Sequence, residues 1–215
     1  MKKSVYFIPG MAASPMIYEH IKLPQDCFEC HFLEWIIPDV DETLENYCRR
    51  FCKMIQDENP ILIGTSFGGV IVQEMAKMMK VDRVVIISSI KSSLEFPRRM
   101  KLARSTGLHK LLPTSLVEKS ELLLKYNLGI SKRKLELYHN YLSVKNQYYL
   151  DWALDKIISW QQIEPIKNLI HIHGDKDPVF PIKYIKNCIT VPGGTHVMII
   201  HRYRWFNENL PGLLS

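Results

Sequence analysis

Short runs of apolar, mostly β-branched residues recur along the chain, and segments with helical spacing separate them. The clearest runs are Ile61–Ile63 and Val84–Ile87, which no polar residue interrupts. A strand that is apolar on both faces is buried on both faces, which is typical of parallel sheets covered by helices. The alternation therefore predicts an α/β fold, with a mostly parallel sheet and helices on both of its faces.

The same pattern gives approximate bounds for the elements of this sheet. Strands are predicted at Ser4–Ile8, Phe28–Trp35, Ile61–Ile63, Arg83–Ser88, Leu169–His173 and Cys188–Val191. Helices are predicted over about 15–21, over 41–56, directly after Gly69 and over about 197–209. A chain of 215 residues can bury one well-formed core, so we expect a single domain over 1–215.

The strand pattern is interrupted between residues 91 and 160. This segment has helical spacing, is rich in Leu, Lys, Arg and Tyr, and separates two predicted strands. It predicts a helical lid insertion at 91–160 over one edge of the sheet. The first part of this lid is basic, with Lys91, Arg98, Arg99, Lys101, Arg104 and Lys110.

Residues 64–68 read G-T-S-F-G, which matches the pattern G-x-S-x-G between a short apolar strand and a helix. A serine on such a tight turn needs glycines beside it, because neighbouring side chains would clash. The turn exposes the serine hydroxyl, and the helix that follows directs its positive end at the site. Ser66 is therefore a candidate nucleophile. Taken alone, it is better explained as a turn serine, with Gly68 and Gly69 at the start of a helix.

Two further polar residues each follow a late predicted strand. Asp177 comes after the strand that ends at His173, and His196 comes after the strand that ends at Val191. A tight strand-to-helix turn that carries the nucleophile, as at residues 64–68, is called a nucleophile elbow. The chain order Ser, Asp, His is the order expected of a hydrolase with such an elbow. Three isolated turn residues would not be expected in this order, each after a strand, so the set predicts a catalytic triad.

With these motifs, the chain resembles the α/β-hydrolase family over nearly its full length outside the lid. The family places its acid in a G-x-x-D-x-x-x-P loop, which Gly174, Asp177 and Pro181 match. Asp175 is the competing acid, because geometry rather than sequence order decides a triad. The resemblance implies that His196 is the general base. It also implies a reduced sheet, without the leading antiparallel strands of larger members.

The resemblance further implies an oxyanion hole made of two backbone N–H groups. One belongs to Phe67, directly after the nucleophile, and the other to Met11, in the loop after the first strand. Pro9 stands where the family usually has His in a His-Gly-x segment. The implied activity is hydrolysis of a carboxylic ester or thioester through an acyl-enzyme on Ser66. This chemistry needs no cofactor and no metal.

Three other functions remain open at this point. The same triad supports cofactor-free perhydrolysis or C–C bond cleavage on other substrates. A second possibility is a small-molecule binding protein that keeps the fold without turnover. A third is a zinc-binding interaction protein, because Cys27, Cys30, Cys48 and Cys52 loosely imitate a four-cysteine site. Core packing is the commoner role of free cysteines, and Cys48 and Cys52 are spaced to share one helix face.

The formal net charge of +6 makes the chain mildly basic, which bears on solubility rather than on a partner. We expect no nucleic-acid partner, because no basic run is interleaved with aromatic residues. The basic part of the lid is either a solvated helix face or a recruitment surface for an anionic acyl carrier, such as a phosphorylated pantetheine thioester.

The N-terminal segment decides the expected location. Two lysines precede an apolar run of only four residues, Val5–Ile8, which is too short for a secretory signal. No stretch approaches the roughly 20 apolar residues of a membrane span. The five cysteines are an odd number, which argues against a disulfide framework. We therefore expect a cytoplasmic protein without a membrane span.

Overall fold

A computed structural model describes residues 2–107 and 141–215. Its sheet has the strand order β2-β1-β3-β4-β5-β6, and every neighbouring pair is parallel. The strands are β1 (Lys3–Ile8), β2 (Phe28–Phe32), β3 (Ile61–Thr65), β4 (Arg83–Ile87), β5 (Leu169–Gly174) and β6 (Ile189–Val191). The predicted parallel sheet is confirmed, although β2 ends three residues before the predicted Trp35.

The helices of the described residues are α1 (Leu44–Lys53), α2 (Phe67–Met75), α3 (Arg98–Thr106), α4 (Gln147–Ser159), α5 (Met198–His201) and α6 (Tyr203–Leu214). The helix predicted at about 15–21 is a short 3₁₀ turn, Pro15–Tyr18. The last predicted helix is two helices, because Arg202 leaves the helical conformation between them, and the second continues to Leu214.

The helices cover both faces of the sheet, as predicted. Side chains alternate between the faces along each strand. On one face, Ile8, Leu62 and Ile86 belong to an apolar core that includes residues of α1, α2 and α4. On the other face, Phe7 and Ile63 belong to a second core that includes residues of α5 and α6. Each central strand is buried on both sides, which explains its uninterrupted apolar sequence.

The order of the strands creates a crevice at the carboxyl ends of β1 and β3. The chain passes from β1 to β2 on one side and then returns to place β3 on the other side. At such a switch point the loops that leave the two strands diverge, and ligands of open α/β sheets bind between them. The loop at residues 9–13 follows β1, and Ser66 follows β3. The topology thus brings these two segments together.

Only part of the predicted lid at 91–160 can be described. It contains a 3₁₀ turn at Ser93–Glu95 and the helices α3 and α4. Residues 108–140, including Lys110, lie outside the described residues. The lid therefore stays a prediction. Within 2–107 and 141–215, no helix has both the length and the apolar character to cross a membrane.

The cysteines of α1 face the neighbouring helix α2. Cys48 is buried, with Sγ 3.9 Å from the carbonyl oxygen of Ile71, and the Sγ of Cys52 lies 4.0 Å from that of Met75. Cys27 and Cys30 are exposed. In the part of the chain that the structure describes, no three His, Cys, Asp or Glu residues are grouped to hold a metal ion. Cys48 and Cys52 pack as core residues.

Candidate active site

Ser66 occupies a strained turn between β3 and α2. Its φ of 53° and ψ of −116° are unfavourable for a residue with a side chain. Two hydrogen bonds from the end of β4 hold the turn. The Ser66 N–H donates to the Ile87 carbonyl (2.9 Å), and the Ser89 hydroxyl donates to the Ser66 carbonyl (2.7 Å). The neighbouring strand therefore maintains the strain that exposes the Ser66 hydroxyl.

Both glycines of the G-T-S-F-G motif are required by close backbone contacts. A Cβ atom on Gly64 would lie 2.2 Å from the carbonyl oxygen of Gly68. A Cβ atom on Gly68 would lie 2.4 Å from the carbonyl oxygens of Ile8 and Pro9. These neighbours are backbone atoms that cannot move aside. The two glycines thus allow the start of α2 to pack closely against β3 and against the end of β1.

Ser66, His196 and Asp177 form one hydrogen-bonded path. The Nε2 atom of His196 lies 2.9 Å from Ser66 Oγ, and its Nδ1 atom lies 2.9 Å from Asp177 Oδ2. An ionised carboxylate only accepts hydrogen bonds, so Nδ1 carries the imidazole proton. Nε2 is then free to accept the proton of the Ser66 hydroxyl. The structure thus brings together the three residues that the sequence singled out.

Asp177 is a buried carboxylate held by three donors. Its Oδ1 accepts from the N–H groups of Val179 (2.8 Å) and Phe180 (3.0 Å), and its Oδ2 accepts from His196. Burial raises the pKa of Asp177, but the interactions with His196, with the Phe180 N–H and with His173 together outweigh burial. The net pKa lies below its ordinary value, so this carboxylate stays ionised at neutral pH.

The competing acid, Asp175, does not reach the base. Within the described residues, no hydrogen bond or ion pair joins its side chain to His196, and its buried Oδ1 has no hydrogen-bond partner. The two loops are aligned instead by a bond from the Lys176 N–H to the Gly194 carbonyl (2.9 Å). Of the two carboxylates, only Asp177 is placed as a triad acid.

A buried histidine pair lies behind the acid loop. His173 Nε2 donates to the Phe180 carbonyl (2.8 Å), because a carbonyl can only accept. His173 Nδ1 then accepts from Nε2 of His171 (3.2 Å). Burial lowers the pKa of both rings, so both are neutral. The alternation of the two residues along β5 placed them on one face, but the sequence contained no signal for the Phe180 carbonyl.

The buried pair His171 and His173 predicts that the folded state becomes less stable as the pH falls. A histidine with a lowered folded pKa stabilises the fold fully above its unfolded pKa of about 6.5 and loses that contribution as pH falls. We expect the free energy of unfolding to drop below pH 6.5, by at most about 1.4 kcal/mol per pH unit for each ring. Urea unfolding at pH 7.5 and 5.5 should show a smaller drop in His171→Gln than in the wild type. The same drop in both proteins would contradict this assignment, and His20→Gln, at an exposed site, is the control.

The two predicted oxyanion donors belong to the two segments that meet at Ser66. Phe67 begins α2 directly after Ser66, and Met11 belongs to the loop after β1. Among the described residues, neither N–H group has a hydrogen-bond acceptor. Both amides are therefore available to a ligand atom, and their role in stabilising an oxyanion stays a prediction.

An apolar cavity of about 250 Å³ opens at Ser66 and His196. Met100 of α3 and Leu154 and Ile157 of α4 contribute to its wall, so described parts of the segment 91–160 border it. Among the described lining residues, none carries a fixed charge, and His196 is the titratable one. The other residues of the wall are Gly10, Met11, Ala13, Ile17, Thr65, Ile158, Val179, Phe180, Val197, Ile199 and Ile200.

Three of the basic residues of the lid bind backbone carbonyls of the fold. The Nζ atom of the buried Lys91 donates to the carbonyls of Lys186 and Asn187. Arg99 donates to the carbonyl of Pro178 (2.6 Å), and Lys101 donates to the carbonyl of Leu94 (2.8 Å). These contacts give the three side chains a structural role, and an anionic carrier at this face stays a prediction.

Comparison with known proteins relates the chain to others by structure alone. No family model and no curated protein sequence matches it. A bromoperoxidase from Bacillus anthracis aligns over 100% of this chain and 92% of its own, with a TM-score of 0.71 and 16% identity. A structure from a study of carboxylesterases of the thaumarchaeon Nitrososphaera gargenis covers 99% of this chain and 90% of its own, with a TM-score of 0.71 and 15% identity.

A third similar structure comes from a study of epoxide hydrolases of the α/β-hydrolase superfamily, found in metagenomes from hot environments. It covers 100% of this chain and 91% of its own, with a TM-score of 0.68 and 14% identity. The three likenesses extend over the whole chain at low identity, so they show a shared fold.

Proposed function

We propose that this chain, which has the α/β-hydrolase fold, is a serine hydrolase that cleaves a carboxylic ester or thioester through an acyl-enzyme on Ser66. The observation that carries the proposal is the unbroken path from Asp177 through His196 to the Ser66 hydroxyl, with both distances at 2.9 Å. This path ends at an apolar cavity that Met11 also lines, and the N–H groups of Met11 and Phe67 have no acceptor among the described residues. Two of the three similar structures come from studies of hydrolases, namely carboxylesterases and epoxide hydrolases, which supports the proposal at the level of the reaction class.

In the first half of the reaction, His196 Nε2 takes the hydroxyl proton as Ser66 Oγ attacks the substrate carbonyl carbon. The carbonyl π electrons move to its oxygen, which the N–H groups of Met11 and Phe67 stabilise. Asp177 stabilises the positive charge on His196. The tetrahedral intermediate collapses as His196 returns the proton to the leaving alcohol or thiol, and the acyl group stays on Ser66.

In the second half, water replaces the leaving group. His196 removes a proton from a water molecule, whose oxygen attacks the acyl carbonyl. The same two amides hold the second oxyanion, and the proton on His196 passes to Ser66 Oγ as the carboxylic acid leaves. Each residue ends in its starting state, so the cycle closes without a further reactant.

The cavity selects the acyl group by its polarity. Its described wall is mostly apolar and includes Leu154 and Ile157 of α4 together with Ser66. A carboxylate against this wall would lose its hydration and meet no fixed charge among the described lining residues, which costs several kcal/mol. The preferred acyl group is therefore uncharged, and it is small to medium in size for a cavity of about 250 Å³.

The test is a panel of activated esters that differ in charge at matched length. We expect the butanoyl ester to be hydrolysed at least about 10-fold faster than the succinyl ester, since about 1.4 kcal/mol of desolvation suffices for that ratio. Stopped-flow release of the leaving group should show a burst equal to the enzyme concentration where deacylation limits turnover. The same acyl group on a simple thiol and on a phosphorylated pantetheine thiol tests the anionic carrier.

Each other outcome points to a different function. Ligand binding without a burst or turnover would identify a binding protein that keeps the fold. Peracid formation with hydrogen peroxide that outpaces hydrolysis would identify a perhydrolase. A succinyl ester that reacts as fast as the butanoyl ester would contradict the assignment of the apolar cavity as the acyl site.

A further inference from the structure

Trp35, in the connection that follows β2, holds the loop after β1 in place. Trp35 follows β2, which lies next to β1 at the same carboxyl edge of the sheet. Its indole Nε1 donates a buried hydrogen bond of 2.9 Å to the carbonyl oxygen of Gly10. The N–H of Ala13 donates to the same oxygen at 2.9 Å, which closes a turn over residues 10–13.

This pair of bonds fixes the direction of the next N–H group. In a trans peptide, the carbonyl of one residue and the N–H of the following residue point in opposite directions. Because the Gly10 carbonyl points to Trp35, the Met11 N–H points away from Trp35. Gly10, Met11 and Ser66 all line the cavity. Trp35 thus sets the orientation of the Met11 N–H without touching the cavity itself.

The same side chain also contacts the residue that provides the other amide. The ring of Trp35 stacks on the ring of Phe67, with centroids 5.5 Å apart and an interplanar angle of 21°. Trp35 is buried at 8% exposure. One rigid side chain therefore connects the two backbone segments that carry the N–H groups of Met11 and Phe67.

Other contacts support this loop but do not orient the Gly10–Met11 peptide. Pro9 has no N–H to donate. The hydroxyl of Tyr149 accepts from the N–H of Ala12 (3.4 Å), one residue beyond Met11, and the hydroxyl of Tyr18 donates to the carbonyl of Ile8 (2.7 Å). The Gly10 carbonyl and the Met11 N–H belong to the same peptide group. Among the described residues, Trp35 is the side chain that hydrogen-bonds this peptide group.

We propose that Trp35 is the positioning residue of the oxyanion hole, and that its indole N–H holds the Met11 amide in the direction of the developing negative charge. The inference rests on the proposed acyl transfer at Ser66. Without the indole bond, the Ala13 bond keeps the turn closed, but the peptide plane gains freedom to rotate. Substrate binding in the ground state is then preserved, while the transition state loses part of the stabilisation that the Met11 N–H provides.

The test compares Trp35→Phe with Trp152→Phe. Trp35→Phe keeps an aromatic ring against Phe67 and removes the indole N–H. Trp152 is a matched control, because its Nε1 also donates a buried hydrogen bond to a backbone carbonyl, that of Glu42 (2.8 Å), and its ring also contacts Phe67. Both variants thus lose one hydrogen bond of the same kind, but only one of these bonds is on the loop after β1.

Loss of an oxyanion donor lowers kcat by about 10²-fold to 10³-fold in other hydrolases, so a misdirected donor should cost about 10-fold to 100-fold. We expect this fall in kcat for Trp35→Phe, with KM changed by less than about 3-fold. The inhibition constant of an aryl trifluoromethyl ketone, whose adduct on Ser66 carries an oxyanion, should rise by the same factor. Trp152→Phe should leave both quantities near the wild-type values.

Two controls keep the result decisive. If Trp35→Phe does not fold, benzothienylalanine at position 35 replaces only the indole N–H by sulfur and should give the same loss.

Labelling by a fluorophosphonate separates the two proposals. No label on wild-type Ser66 overturns the proposed function and this inference together. A labelled, active wild type with equal kcat in Trp35→Phe and Trp152→Phe overturns the role of Trp35 alone.

Discussion

Ser66→Ala is expected to lower kcat by about 10⁶-fold, the scale of loss when the serine of a triad is removed. The Ser66 hydroxyl has one hydrogen-bond partner among the described residues, His196 Nε2, and it is the oxygen placed to attack. The backbone of Ser66 is held by hydrogen bonds with Ile87 and Ser89 that do not involve the Ser66 hydroxyl. The alanine variant should therefore keep the conformation of the turn. Steady-state hydrolysis of the butanoyl ester measures the loss.

Intact mass after fluorophosphonate treatment provides the covalent readout for the same variant. The wild type should gain one adduct, and Ser66→Ala should gain none. The variant should still bind the substrate, because the other residues of the cavity wall are unchanged. An adduct on Ser66→Ala, or activity above about 1% of the wild type, would mean that another nucleophile reacts.

Asp177→Asn is expected to lower kcat by about 10⁴-fold, the loss seen when a triad acid becomes an amide. An Asn side chain can accept through its oxygen from Val179 and Phe180, as Asp177 does. Its NH₂ group would then face His196 Nδ1 and donate to it. The imidazole proton would move to Nε2, which could no longer accept the Ser66 proton. The measured quantity is kcat for hydrolysis of the butanoyl ester.

Asp175→Asn is the matched control, because it makes the same chemical change two residues earlier in the same loop. The Asp175 side chain makes no hydrogen bond or ion pair with His196 in the described structure, so kcat should stay within about 3-fold of the wild type. If Asp175→Asn lost as much activity as Asp177→Asn, the loop would adopt another arrangement during catalysis, and the assignment of the acid would be wrong.

The parts of this site that local chemistry constrains were predictable from the sequence. The elbow needs glycine at 64 and 68 because any side chain there would overlap the backbone, and that requirement leaves a recognisable pattern. The parallel sheet was predictable for a similar reason, because strands buried on both faces must be apolar throughout. The family resemblance favoured Asp177 over Asp175 through its spacing from Gly174 and Pro181. Without that resemblance the sequence left both open, because both follow the same strand and precede the same proline.

The residues that the sequence did not reveal act through contacts between distant segments. His173 supports the acid loop through the Phe180 carbonyl, and Trp35 reaches the Gly10 carbonyl from 25 residues away. Both bonds end on backbone atoms, which any residue type provides, so the partner leaves no mark in the sequence. The unexpected break at Arg202 likewise has no glycine or proline at that position to announce it.

The sequence by itself determined the α/β fold of this chain and the serine, aspartate and histidine candidates, because burial and the strained turn restrict residue types at fixed positions. The tertiary structure alone decided which aspartate meets His196, where the apolar cavity lies, and that the indole of Trp35 reaches the Gly10 carbonyl. These features depend on distances between backbone segments that the strand order brings together, and a distance in space is not encoded at any single position of the chain.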